Sequence, residues 1–211
     1  MTDPLVPALQ AARARLADDL AGLTDDQWHR PTLCTEWDVE QVVAHLTAAA
    51  TTSMGGWLRS MALAGLRPAV HNRRRLREQL GTSPAETLQR FRTAVSSTVA
   101  PTKDTAAWLG EVLVHGEDIR RPLGLESDPD VDVWSAVAEF YASRDFTVPS
   151  RTTAKSLHLE ATDGPFRHGS GPVVTGPTSA LVMVMAGRAA HLADLEGDGV
   201  AVLADRLTTR R

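Results

Sequence analysis

The stretch LCTEWDVEQVVAHL, residues 33–46, contains a helix start followed by an apolar run. Asp38 is followed three residues later by Gln41, which is the capping-box spacing at a helix N-terminus. The pattern predicts a helix that begins after Asp38 and runs toward Leu63. His45 lies in its apolar part, where an imidazole must find a partner or cost about 1 to 3 kcal/mol. A histidine at this position therefore indicates either a buried hydrogen bond or a ligand site.

Apolar residues at steps of three and four predict further helices on both sides of this stretch. These helices cover residues 5–22, 84–101, 105–121 and 131–144, with a short helical turn at 25–29. Residues 65–81 contain Pro68 and five arginines, and this composition favours a connection with at most a short helix. The first two thirds of the chain therefore predict a helical bundle.

Beyond residue 155 the hydrophobic period changes from 3.6 to two. Residues 156–161 alternate, and Gly-Pro pairs interrupt the sequence that follows. The pattern predicts strands at 156–161, 165–168 and 172–174, then a helix at 178–188 and a short element at 200–207. We therefore predict a mainly α fold with two domains, a helical bundle over 1–149 and a small α+β domain over 150–211.

Composition excludes several classes of protein. The 22 Lys and Arg against 26 Asp and Glu give a formal net charge of -4, which disfavours a generic nucleic-acid binder. The arginine-rich run at 67–77 lacks interleaved aromatic residues and is predicted to be a solvated loop. A single cysteine, Cys34, excludes an internal disulfide and a four-cysteine zinc site. Any metal site must therefore depend on histidines and carboxylates.

The N-terminal residues lack the pattern of a signal peptide, and the most apolar window is residues 180–186. That window is far shorter than the roughly 18 residues needed to cross a bilayer. The sequence predicts a cytoplasmic protein with neither a membrane nor a nucleic-acid partner.

Three residues on two predicted helices could hold a metal ion. Glu111 and His115 are four residues apart and share one helical face, while His45 lies on the other helix. Two imidazoles and one carboxylate suit a borderline-soft divalent cation such as zinc, and three protein ligands leave a coordination position open. The same spacing at Asp25 and His29 shows that spacing alone carries little weight. From the residues alone, hydrogen-bonded core histidines are the alternative.

Residues 33–46, together with LVHGEDIRRPLG at 113–124, resemble the mycothiol-dependent maleylpyruvate isomerase family. The similarity continues in three short C-terminal segments, VTGP at 174–177, AGR at 186–188 and LEGDG at 195–199. The resemblance implies a DinB-like four-helix bundle followed by a small sterol-carrier-like α+β domain. It also implies that His45, Glu111 and His115 hold a divalent metal.

The resemblance further implies a function. Coordination of a sulfhydryl to a divalent cation stabilises the thiolate, which attacks electrophiles. In this family the thiol is mycothiol, the low-molecular-weight thiol of actinobacteria. The chain is therefore expected to be a metal-dependent isomerase or S-transferase that uses mycothiol and acts on a small electrophile. The alternative is a non-catalytic metal-binding or regulatory protein that retains the bundle, because a fold and a metal site do not guarantee chemistry.

Other residues have two interpretations each. Arg188 is the candidate catalytic residue, because a guanidinium offers a planar fork of donors to a carboxylate and the resemblance places an arginine of the C-terminal domain at the active site. Its alternative is a favourable contact with a helix C-terminus. Asp118 either orients the His115 ring or pairs with Arg120 or Arg121.

Two further residue types are assigned structural roles. Cys34 is predicted to be structural, because the sequence places no base beside it. Trp37, Trp57 and Trp108 are predicted to be core or pocket-wall residues rather than a stacking platform.

Overall fold

The structure, a computed structural model, describes residues 3–34, 36–127 and 130–209. Its contacts divide the chain into two compact units, 1–128 and 129–211, which we call the first and second units. This division precedes the expected domain boundary at 149/150 by about 20 residues. The reason is that the helix Val131–Ser143, assigned to the bundle from the sequence, packs against the helix Thr178–Met185 of the second unit.

The first unit is helical throughout its described elements. They are α1 Leu5–Ala21, α2 Asp25–Trp28, α3 Val39–Thr51, α4 Met54–Leu63, α5 Pro68–Gln79, α6 Pro84–Ala94 and α7 Thr105–Leu123. Helices α6 and α7 each pack against both α1 and α3, and these four helices form the bundle. Fully buried side chains such as Leu16, Leu46, Phe91 and Leu113 fill its interior. The sequence-based prediction of a helical bundle is confirmed.

Two parts of the first unit differ from expectation. The helix expected from 39 to 63 ends at Thr51, and a new helix starts at Met54, because the Ser53 side chain caps its N-terminus by accepting a hydrogen bond from the Gly56 N–H. The expected connection at 65–81 is instead the helix α5. Pro68 lies at its first turn, where proline is tolerated, and Leu76 packs inward.

The two helices that carry the candidate metal ligands have well-defined ends. Asp38 and Gln41 form the predicted capping box at the start of α3. At the end of α7, Gly124 adopts the left-handed conformation with φ of 67°, which glycine adopts without steric cost. Both helix ends are therefore set by local sequence.

The second unit combines helices with a small sheet. Its elements are α8 Val131–Ser143, α9 Ser150–Ala154, β1 His158–Ala161, β2 Arg167–Gly169, β3 Val173–Gly176, α10 Thr178–Met185, a 3₁₀ helix at Ala189–Asp194 and α11 Val200–Thr208. The strand order is β2-β1-β3, with β1 antiparallel to β2 and parallel to β3. The mainly α fold with a small α+β part is confirmed.

None of the helices in the described ranges combines the length and the apolar character needed to cross a bilayer.

Candidate metal centre

His45 of α3 meets Glu111 and His115 of α7 inside the first unit. The distance from His45 Nε2 to Glu111 Oε1 is 3.7 Å, and the distance from His115 Nε2 to Glu111 Oε2 is also 3.7 Å. One donor atom of each residue lies within 4.8 Å of the donor atoms of the other two. The structure thus brings together the three residues that the sequence suggested as ligands.

The separations fit a single cation. Two ligands bound to zinc at about 2.0 to 2.2 Å and at a tetrahedral angle lie roughly 3.4 Å apart. The observed 3.7 Å between each imidazole nitrogen and the nearest glutamate oxygen is close to this value. Two nitrogens and a carboxylate are also one of the ligand sets that catalytic zinc sites use. The residues present therefore fit a divalent metal.

The three residues are largely buried, and burial favours the neutral form of the His45 imidazole. His45 and His115 are 8% and 6% exposed, and the Glu111 side chain is 19% exposed. Burial lowers the pKa of His45, and the His115 ring lowers it further, while the hydrogen bond and charge of Glu111 act in the opposite direction. The lowered pKa favours neutral His45, which is the form that a metal requires.

Asp118 holds the His115 ring in place. Its Oδ2 accepts a hydrogen bond of 2.9 Å from His115 Nδ1, and its own exposure is 0%. The structure shows the predicted interaction of Asp118 with His115, and Arg120 pairs with Asp19. Because Nδ1 bonds to Asp118, Nε2 is the ring nitrogen of His115 that faces the Glu111 carboxylate.

The segment before α3 folds over the same site. The Trp37 ring lies 4.7 Å from the His45 ring and 6.1 Å from the His115 ring, measured between centroids. Trp37 is therefore a wall of the site, as predicted for the tryptophans.

Cys34 lies beside His115 and Asp118, a neighbourhood that the sequence did not indicate. It is half-buried, and its sulfur, one His115 ring nitrogen and one Asp118 carboxylate oxygen all lie within 4.8 Å of one another. The cause is a backbone hydrogen bond of 3.0 Å from the Leu33 N–H to the Asp118 carbonyl, which holds this segment against α7. No spacing rule links residues so far apart in the chain.

Arg188 lies in the second unit, immediately before the 3₁₀ helix. Its Nη1 donates a hydrogen bond of 2.7 Å to the Ala186 carbonyl at the end of α10, which is the type of contact that the helix-terminus interpretation expects. The catalytic role of Arg188 therefore stays a prediction.

The fold and this cluster define a class of protein, helical bundles in which two helices present a candidate metal centre. Residues 9–120 match the family model described as the mycothiol maleylpyruvate isomerase N-terminal domain. The chain belongs to this family.

Two solved structures are similar to almost the whole chain. One is a crystal structure of the mycothiol-dependent maleylpyruvate isomerase, with 15% sequence identity and a TM-score of 0.63. The other is a histidine-to-alanine mutant of a protein with that name, with 14% identity and a TM-score of 0.64. Each similarity covers 94% of this chain and 96% of the other chain. At this identity the similarity establishes the fold. Among curated proteins, no sequence matches this chain.

Proposed function

We propose that this protein is a metal-dependent enzyme that uses mycothiol and acts on a small electrophile, as an isomerase or as an S-transferase. The observation that carries the proposal is the convergence of His45, Glu111 and His115 in a buried site. Family membership supports the choice of thiol, and the two similar structures bear the name of a mycothiol-dependent isomerase. The cytoplasm of an actinobacterium is the setting that this chemistry implies.

Each residue of the centre has a role in the proposal. His45, Glu111 and His115 hold a divalent cation, with zinc the choice that their donor atoms favour. A bound cation stabilises the thiolate form of a sulfhydryl, which is the nucleophilic form. Asp118 keeps the His115 Nε2 directed at the site, and Trp37 limits access of water from one side. Arg188 is proposed to bind an anionic group of the substrate or of the thiol.

The experiment combines the zinc-loaded protein with mycothiol and a panel of electrophiles that includes unsaturated acids and compounds with a leaving group. We expect product only when metal and mycothiol are both present, with cysteine as the thiol control. An isomerase returns the thiol unchanged, whereas an S-transferase consumes one thiol per product, so a thiol assay separates the two. Metal binding without thiol affinity or turnover would instead favour the non-catalytic alternative.

The hydrogen bond between Asp118 and His115 gives a prediction for the metal. We expect Asp118→Asn to lower zinc affinity by about 10- to 100-fold, because groups that orient a ligating histidine have effects of that size. Competition with a chromophoric chelator measures the affinity. Asp132→Asn, at an exposed position in the first turn of α8, is the control and should leave the affinity unchanged. Equal affinities for both variants would contradict the orienting role of Asp118.

A further inference from the structure

The first unit contains a cavity of about 740 Å³ that the proposed function does not use. It is lined by residues of α1, by the first residue of α4, by the segment before α7 and by the start of α7. Its lining, drawn from the described residues, includes none of the three proposed metal ligands. The volume lies within the range of small-molecule sites, which is about 300 to 1,000 Å³.

Arg13 is a charged residue at an inward position of this cavity. On α1 it follows Leu9 by four residues and precedes Leu16 by three, so it occupies the buried stripe of the helix. Only 4% of it is exposed. A buried charge is costly, and an apolar residue of similar size at such a position is often neutral or stabilising. An arginine here therefore needs acceptors for its guanidinium to offset the cost of burial.

The contacts of Arg13 leave part of its guanidinium unused. Its Nη1 donates to the Ser97 carbonyl at 2.8 Å and to the Ala94 carbonyl at 3.4 Å. Its Nε is buried and has no hydrogen-bond partner among the described residues. Burial lowers the pKa of Arg13 to about 10, so that the side chain is still cationic at neutral pH. A guanidinium has five N–H donors, so Arg13 keeps donor capacity for a further acceptor besides these two carbonyls.

The other charges around the cavity also favour an anion. Lys103 contributes a second cation to the lining, and Asp3 contributes a carboxylate. The Asp3 carboxylate already accepts hydrogen bonds from the Leu5 N–H and the Thr105 side chain, and both lower the pKa of Asp3. Two cations thus face one carboxylate that has protein partners of its own.

The remaining walls are apolar and partly open to solvent. Val6, Leu9 and Trp108 line the cavity, and two further lining residues, Met54 and Val99, are 45% and 44% exposed. A free inorganic anion would leave these walls in contact with water, whereas an apolar group would cover them. The occupant should therefore carry both an anionic group and an apolar body.

We propose that this cavity is a binding site for a small organic carboxylate, with Arg13 binding the carboxylate and Trp108 packing against an apolar or aromatic body. A guanidinium binds a carboxylate through charge-assisted hydrogen bonds, which are stronger than neutral ones. The site does not depend on the metal or on mycothiol, so its test is independent of the proposed function.

Isothermal titration of the full chain with phenylacetate tests the proposal, with three comparison ligands. Phenylacetamide lacks the negative charge. Acetate and inorganic phosphate are anions that lack the apolar body. We expect saturable binding of phenylacetate at least about tenfold tighter than binding of each comparison ligand, since a hydrogen bond to a charged group and the burial of an apolar ring each contribute at least that much. An affinity for phenylacetamide or for phosphate equal to that for phenylacetate would overturn the proposal.

Substitutions locate the binding site. Arg13→Met should abolish phenylacetate binding, with circular dichroism as the check on folding. Val99→Asp is a second variant that is expected to fold, because Val99 is at the exposed rim. It places a negative charge at the cavity, and we expect it to weaken phenylacetate binding about tenfold, whereas the neutral control Val99→Asn should stay within twofold of the original chain. Equal affinities for the two Val99 variants would show that phenylacetate binds elsewhere and would refute the site.

Discussion

Replacement of His115 by alanine is expected to lower zinc affinity by more than about 100-fold and to abolish thiol-dependent turnover. Loss of a group that merely orients a ligand costs about 10- to 100-fold, and loss of a ligand itself should exceed that range. His115 Nε2 is 3.7 Å from Glu111 Oε2, so its removal leaves one imidazole and one carboxylate to hold the ion. Two protein ligands are fewer than the three that catalytic zinc sites use.

His29→Ala is the matched control for this substitution. His29 also follows an acidic residue, Asp25, by four positions, but it is exposed at the end of α2. Metal content after dialysis and chelator competition give the affinity, and circular dichroism shows whether each variant is folded. We expect His29→Ala to retain both affinity and turnover. A folded His115→Ala variant with unchanged zinc affinity would remove the observation on which the proposed function depends.

The local parts of the candidate site were predictable from the sequence. Glu111 and His115 share a face because of their spacing on one helix, and the capping box of Asp38 and Gln41 fixes the start of the other helix. The approach of His45 to those two residues depends on how α3 packs against α7. Periodicity identifies the inward face of a helix but not the helix that it meets. The family resemblance supplied that pairing.

The neighbourhood of Cys34 was not predictable for a related reason. Cys34 and Asp118 belong to different parts of the chain, and a backbone hydrogen bond from the Leu33 N–H to the Asp118 carbonyl joins the two segments. Sequence patterns describe contacts between residues that are a few positions apart, whereas Leu33 and Asp118 lie far apart along the chain. The contact of Trp37 with the two histidine rings likewise depends on tertiary packing that the sequence pattern does not encode.

Two differences between the expected and the observed fold have distinct physical causes. Pro68 and the arginines of residues 65–81 favour a connection with at most a short helix, but proline is favoured at the first helical position and arginine is a strong helix former, so the helix α5 forms there. The helix α8 was predicted in the right place, but its buried residues, such as Trp134 and Val137, would suit either domain. Its packing against α10 therefore had to be observed.

Arg120→Met is expected to lower the free energy of unfolding of the first unit by about 3 to 5 kcal/mol, which is the usual cost of removing one partner from a buried ion pair. Arg120 is 3% exposed, its Nη2 is 2.7 Å from Asp19 Oδ2, and its Nη1 is 3.6 Å from Glu117 Oε1. Glu117 is 1% exposed, so the substitution leaves a buried carboxylate without its nearby cation. Because Asp19 belongs to α1 and Arg120 to α7, the substitution also weakens the contact between two bundle helices. Urea denaturation followed by circular dichroism measures the loss.

Two further variants separate two contributions to this loss of stability, the uncompensated charge on Glu117 and the loss of the Arg120 side chain itself. Arg167→Met removes an ion pair of similar length, 2.8 Å to Glu160, but the Arg167 side chain is 70% exposed, so the expected change is at most about 1 kcal/mol. Glu117→Gln combined with Arg120→Met removes the uncompensated buried charge, and the neutral amide can still accept the hydrogen bond from the Ser127 hydroxyl. The double variant should therefore regain stability relative to Arg120→Met, because a buried ion pair replaced by neutral groups is often close to neutral in free energy. If the double variant is as unstable as Arg120→Met, the cost comes from lost packing and from the Asp19 pair rather than from the charge on Glu117.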